Sequence, residues 1–168
     1  MIIQSERLLF RPYHDEDFGF LASLLSDPEM VRFIGNGQTR DKNGSKRFLE
    51  WIYSTYKFGS EMGLMVLVNK DDNVLIGHAG LVPQTIDGTE EVEIGYWIAR
   101  DFWGQGYATE AALTLRNHGV HQLCKHRFIA LIQLGNVASR RVAKKIGMDL
   151  EKEIKLAGQD VCVYSVSC

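Results

Sequence analysis

The stretch 92–112, VEIGYWIARDFWGQGYATEAA, constrains the fold of this chain more than any other segment. Val92, Ile94, Tyr96 and Ile98 alternate with Glu93, Gly95 and Trp97, the period-two pattern of a strand rich in β-branched and aromatic residues. Gly104 and Gly106 interrupt it, and from Thr109 onward Ala112, Leu113 and Val120 recur at helical spacing. The segment therefore reads as strand, glycine turn and helix. Backbone N–H groups crowd the start of a helix entered through such a turn, and the helix dipole adds to their field. An anion site suited to phosphate is predicted there.

The other elements predicted along the chain place this turn. Residues 3–11 read as a first strand stopped by Pro12, which cannot donate to a ladder. His14 to Asp17 supply a helix start, followed by Phe18, Leu21, Leu24 and Leu25, with an end near Ser26. Asp27-Pro28 opens a short helical turn to Phe33, and a helix over 42–58 is supported by Phe48, Trp51, Ile52 and Tyr56. Trp51 and Tyr56 read either as core or as walls of a substrate pocket. Strands over 64–69 and 74–82 flank the turn KDDN, and a second hairpin crosses Asp87-Gly88. A strand over 127–133, a helix over 136–146 closed by Gly147, and strands over 148–156 and 161–166 complete the chain. Helices followed by an antiparallel meander make the class α+β.

At 168 residues and 45% hydrophobic, one globular domain spanning 1–168 is expected. A net charge of −2 without a basic stripe argues against a nucleic-acid partner. Arg140, Arg141, Lys144 and Lys145 read as a solvated helix face or as phosphate contacts. No run of about 18 apolar residues predicts a membrane span, and the first residues lack a signal-peptide pattern. Cys124, Cys162 and Cys168 lack CxxC spacing, which fits a reduced, cytoplasmic setting, with Cys124 buried or half-buried. His118, His121 and Cys124 drift around their helix and lack a fourth ligand, so no metal is expected and His118 and His121 read as a polar helix face. His78 reads as a core or edge residue of its strand.

Which phosphate ligand the turn serves is narrowed by two motif requirements. There is no GxxxxGK for a P-loop, and the third position of a dinucleotide fingerprint counted from Gly104 and Gly106 is Thr109, with no acid about 20 residues on. The turn FWGQGYATEA, the strand EIGYWI and the later NVASRRVAKKIGM instead resemble the Gcn5-related N-acetyltransferases (GNAT). The segment ERLLFRPYHDEDFGFLASLLSDPEMV is similar to the RimJ/RimL branch that acetylates ribosomal proteins, and the likeness runs from residue 3 to residue 166.

That resemblance implies a GNAT fold, with a mixed, mostly antiparallel central sheet flanked by helices on both faces, and acetyl-coenzyme A as co-substrate. Its pyrophosphate is expected on the main-chain amides of Trp103, Gly104, Gln105, Gly106, Tyr107 and Ala108. Asn136 and Ser139 match a second cofactor-contacting motif, although Asn136 also suits a helix cap. A backbone N–H near Tyr96, Trp97 or Ile98 is expected to polarise the thioester carbonyl. Glu93 is the expected base, with Glu91 on the same face toward the amine, and Ser139 is the expected acid or a holder of the sulfur. Two positions depart from the family pattern: Asp101 stands where a Gln or Arg is usual, and Ala143 where many members carry a tyrosine. The acceptor expected first is a protein N-terminal amine, then a small amine such as an aminoglycoside, polyamine or amino acid; a non-catalytic coenzyme A-binding domain is the reading of another class. The protein is expected as a monomer or homodimer.

Overall fold

A computed structural model describes residues 2–168. In chain order the elements are β1 (Leu8–Pro12), α1 (Phe18–Leu25), α2 (Pro28–Val31), α3 (Lys42–Thr55), β2 (Gly63–Asn69), β3 (Leu75–Ile86), β4 (Thr89–Ile98), α4 (Tyr107–His121), β5 (Arg127–Gln133), α5 (Val137–Lys145), β6 (Asp149–Leu156) and β7 (Gln159–Ser167). The strands form one seven-stranded sheet in the order β1-β2-β3-β4-β5-β7-β6. The pairs β1–β2, β2–β3, β3–β4, β5–β7 and β6–β7 are antiparallel, and β4 and β5 are parallel. Parallel neighbours need a crossover, and α4 supplies it.

Each face of the sheet buries its own core. Ile94, Ile98, Phe128, Ala130 and Ile132 pack against Tyr107, Ala111, Ala112 and Leu115 of α4, with Ala143 and Ile146 from the α5 end. On the other face Leu64, Val66, Val68 and Val82 meet Leu21, Leu25, Leu49 and Ile52 of α1 and α3. The period of two along β4 makes this division, because side chains alternate across a sheet. Tyr96 therefore packs on the α4 side and Trp97 on the α3 side.

The hairpins follow from local chemistry. Asp87 and Gly88 take φ of 50° and 79°, the left-handed pair that a two-residue turn requires. Residues 70–74 close with Asn69 N–H donating to Val74 O at 2.9 Å and Asn73 at φ 61°. Two pairs of strands approach too closely for any side chain: a Cβ on Gly80 would lie 1.9 Å from Gly63 O of β2, and one on Gly77 2.1 Å from Trp97 O of β4.

Three expectations need correction. The first strand does not span 3–11; Leu8–Pro12 is the strand, and the chain before it doubles back. Ser5 N–H donates to Leu8 O at 2.9 Å, Leu8 N–H donates to Ser5 Oγ at 3.2 Å, and Gln4 bridges Leu9. A serine hydroxyl offered the backbone a local alternative to the ladder. Pro12 ends β1 from inside, which an outermost strand tolerates because one of its edges has no ladder to lose. Cys124 is exposed, not buried, because it lies at φ 53° in the turn leaving α4. The polar helix face assigned to His118 is also inexact: its side chain is only 9% exposed and its Nε2 lies 3.2 Å from Glu61 Oε2. His78 is fully buried within its strand, as the core alternative had it.

Candidate active site

The parallel pairing of β4 with β5 is a single contact, Glu93 opposite Ile129. Beyond it the two strands diverge, and the gap becomes a cleft of about 540 Å³. Gly95 to Ile98 line one side and Ala130 to Gln133 the other; the start of α4 and the start of α5 close the end. The loop after α2 bounds it as well, through Phe33 and Ile34, and is tied to β5 where Gln133 Nε2 donates to Gly35 O at 2.7 Å.

Divergence leaves backbone groups of β4 without a ladder partner on that side. Ala99 N–H donates to Ile76 O at 2.9 Å, so residues of its parity point toward β3. Alternation then directs the N–H groups of Tyr96 and Ile98 toward the cleft. Ile98 O, of the same parity, is reached from that direction by Trp103 Nε1 at 2.6 Å.

The glycine turn has the form an anion site needs. Gly104 and Gly106 sit at φ 76° and 82°, and Gly106 is the N-cap of α4 with no side chain capping the first turn. N–H groups of a first helical turn have no intrahelical acceptor, so an uncapped start presents donors outward. A Cβ on Gly104 would meet nothing within 4 Å, which leaves the approach to those amides open. The residues present therefore fit a diphosphate.

A network that no local pattern signals holds this turn in place. Glu110 on α4 accepts from Ser5 Oγ, from Arg7 N–H at 2.9 Å and from Arg7 Nε at 2.6 Å. Arg7 Nη1 donates to Gln105 O at 3.0 Å, and the guanidinium lies 4.1 Å from the centre of the Tyr107 ring. Burial alone would raise the Glu110 carboxyl, but the hydrogen bonds from Ser5 and Arg7 outweigh it and hold it below its ordinary value.

Glu93 lies at the point of divergence. Its side chain accepts from Gln84 Nε2 at 2.9 Å. Burial pushes its carboxyl above the usual range, against the hydrogen bonds of Gln84 and of the Leu131 backbone. Opposite, on the α4 side, the Tyr96 hydroxyl donates to Ser139 O at 2.9 Å, and burial raises that phenol too. Asn136 Oδ1 accepts Ser139 N–H at 3.2 Å and caps α5, while both residues line the cleft.

Of the residues singled out from sequence, Glu93, Tyr96, Trp97, Ile98, Trp103, Gly104, Gly106, Tyr107, Ala108, Asn136 and Ser139 converge on this one cleft. Gln105 is exposed beside it, its amide reaching Asp101 O at 3.4 Å. Glu91 turns to Arg127 at 3.1 Å, which also holds Glu151 at 3.0 Å. The Tyr56 hydroxyl is engaged by Leu64 O and Tyr13 N–H, and burial pushes it up to about 12. Trp51 is 42% exposed and lies in a neighbouring groove. Arg100 pairs with Asp27 at 3.1 Å, and Lys145 is the member of the α5 cation cluster that lines the cleft.

The family model of the acetyltransferase (GNAT) domain matches residues 7–149. The chain is a GNAT N-acetyltransferase. The Bacillus subtilis protein YkkB is 34% identical over 161 residues, covering 95% of this chain and 92% of YkkB. Among solved structures, a GNAT-family acetyltransferase from Bacillus anthracis superposes with a TM-score of 0.82 at 26% identity, covering 99% of this chain and 98% of that one. RimL, the ribosomal L7/L12 α-N-protein acetyltransferase solved in complex with coenzyme A, gives a TM-score of 0.80 at 20% identity, covering 99% and 98%. The seven-stranded, mostly antiparallel sheet with helices on both faces is thus the GNAT fold, and acetyl-coenzyme A is the acyl donor of the family. Where many GNAT enzymes carry a tyrosine, Ala143 is buried in the core between sheet and α4, with no polar group to offer the cleft. No helix among the described residues is long and apolar enough to cross a membrane.

Proposed function

We propose that this enzyme transfers acetyl from acetyl-coenzyme A directly to the amine of a protein N-terminus. One observation carries the reading: β4 and β5 part immediately after Glu93, so a half-buried carboxylate, inward-pointing backbone N–H groups and an uncapped helix start share one cleft.

Bound at the turn from Trp103 to Ala108, acetyl-coenzyme A would supply a thioester carbonyl already activated toward amines. The chain's own residues do the rest. The Tyr96 and Ile98 N–H groups donate toward the carbonyl oxygen, where negative charge develops as nitrogen attacks. Glu93 takes the proton that nitrogen loses, directly or through water; burial raises its pKa and so makes it a stronger base than an exposed carboxylate. As the C–S bond breaks, the Ser139 hydroxyl passes a proton to the leaving sulfur and regains one from solvent, and the Tyr96 hydroxyl, anchored on Ser139 O, holds that segment of α5 against β4. Asn136 positions the same segment by capping it.

The N-terminal acceptor is supported by chemistry and by likeness. An α-amine with a pKa near 7.7 to 8.0 is about a tenth neutral at pH 7, whereas a lysine-like amine near 10.4 is about 0.04% neutral. A single carboxylate base is adequate to the first task. RimL acts on the N-terminus of a ribosomal protein, and its fold is shared. The three free cysteines accord with a cytoplasmic setting.

The test is release of free thiol from acetyl-coenzyme A with N-terminal peptides, polyamines, aminoglycosides and amino acids as acceptors. The reading expects peptides with a free α-amine to give the highest kcat/KM and Nα-blocked peptides to give none. Turnover confined to polyamines or aminoglycosides would refute it.

A further inference from the structure

A second groove lies beside the β4–β5 split, on the far side of Trp97. On the face turned toward α3, the Trp97 ring lies 5.3 Å from Phe48, and Phe48 lies 5.4 Å from Trp51. The Arg40 guanidinium sits 5.0 Å above the Phe48 ring. Phe48, Trp51, Arg40 and Arg47 line an open groove of about 1140 Å³ that is met on another side by Ala157, at the tip of the β6–β7 hairpin. Trp97 belongs to the cleft and Phe48 to the groove, so one aromatic contact joins the two.

The charge of this groove is net positive, two cations against one anion. Arg40 and Arg47 are its cations, and Asp41 is its anion. The Asp41 carboxylate is already committed, accepting Gly44 N–H at 2.8 Å as the N-cap of α3. Arg40 and Arg47 are both exposed, in a concave surface that the Phe48 and Trp51 rings also line. Planar guanidiniums bind carboxylates with two parallel hydrogen bonds, and a ring beneath one of them fixes its plane.

We propose that this groove is the subsite for the acceptor chain beyond its reacting amine, and that it selects an extended segment carrying Asp or Glu two to four residues after that amine. The proposal rests on the N-terminal reading above and names its substrate class. The spacing follows from two steps: from Trp97, whose neighbours Tyr96 and Ile98 face the reacting carbonyl, 5.3 Å leads to Phe48 and 5.0 Å more to the Arg40 guanidinium. An extended chain advances about 3.3 Å per residue, so about three residues cover that path. Trp51 supplies a flat apolar wall for the intervening side chain. Wholly cationic acceptors meet two like charges on the same route.

The experiment measures initial rates on peptides sharing one N-terminal residue, with Glu, Ala or Lys at the second to fourth positions, at low and at high salt. Exposed guanidinium–carboxylate contacts are individually weak, so the two together are expected to lower KM for the Glu series about two- to thirtyfold relative to Ala, with little change in kcat. The preference should shrink as salt rises, because exposed charges are screened within about 10 Å at 0.1 M. R40Q/R47Q should bring the Glu-to-Ala ratio of KM to near one and R40K/R47K should restore part of it, with thermal unfolding and coenzyme A titration reporting that each variant is folded. Equal KM across the three series in the wild type, a preference for Lys, or a Glu preference that survives in R40Q/R47Q would overturn the subsite. Thiol release on spermidine or kanamycin but on no peptide would instead overturn the N-terminal reading, and the subsite with it.

Discussion

Removing the Glu110 carboxylate tests whether the cofactor turn is held from outside its own segment. In Glu110→Ala, three hydrogen bonds to Ser5 and Arg7 are lost, two of them from the Arg7 backbone and guanidinium at 2.9 and 2.6 Å. Hydrogen bonds to charged groups contribute about 1.5–3 kcal/mol each when shielded. The Arg7 side chain is 37% exposed and that of Glu110 18%, so water recovers much of this and exposed ion pairs retain little. A net loss of about 2 kcal/mol is the reasonable expectation, or roughly 4–8 °C in Tm for a chain of this size. Coenzyme A affinity should fall as well. Arg7, freed from Glu110, no longer fixes Gln105 O or the Tyr107 ring, and the turn spends less time in its binding form. If that fraction drops to about a tenth, Kd rises about tenfold. Glu110→Gln adds a pH signature. The folded-state pKa of Glu110 is depressed, so its contribution is present above the ordinary carboxyl value of 4.5 and is lost as pH falls through the lower folded value. That part of the acid limb should be missing from Glu110→Gln. Thermal unfolding with and without coenzyme A, together with calorimetric titration, reads all three effects. An unchanged Tm and Kd in Glu110→Ala would refute the idea that residues 5–7 brace the turn.

Three further outcomes follow from the site and its surroundings. Glu93→Gln should lower kcat/KM about 100-fold or more and remove the inflection that Glu93 gives the acid side of the pH–rate profile, since the base must be ionised and its pKa lies above the usual range; an unchanged profile would reassign the base. His78 is held at about 3 by burial, against 6.5 in solution, so the stability it allows is complete above pH 6.5 and declines by at most about 1.4 kcal/mol per pH unit below it. Its ring resonances should not titrate between pH 7 and 5, and His78→Gln should flatten the stability profile over that span. Gly80→Ala should break the β2–β3 register, because the added methyl would stand 1.9 Å from Gly63 O, with loss of soluble protein or a Tm lowered by more than 10 °C as the readout.

Much of the site could be read from 92–112 because its signals are local. The period of two in β4, the two glycines, and the helical spacing after them each depend on neighbours a few residues away. The same holds for β5, whose span of Arg127–Gln133 matches the sequence reading, and for the hairpin at Asp87-Gly88. Reading failed where a side chain competed with the ladder, as Ser5 does, and where partners are remote. Ser5 and Arg7 are more than a hundred residues from Glu110, and neither position carries a local pattern that announces the contact.

What the sequence determined by itself was the identity of the parts: an α+β chain, a strand and glycine turn presenting amides to an anion, an acid on the strand before it, and the family to which these motifs belong. Tertiary structure decided their relations. It parted β4 from β5 just beyond Glu93 and turned the Tyr96 and Ile98 amides into the gap. It withdrew Tyr56 and Glu91 into other partnerships and set Trp51 with Arg40 and Arg47 along a separate groove. The reason is physical: periodicity and turn chemistry are settled over a few residues, whereas the point at which two strands stop pairing, and the charge that gathers beside it, depend on how distant segments pack.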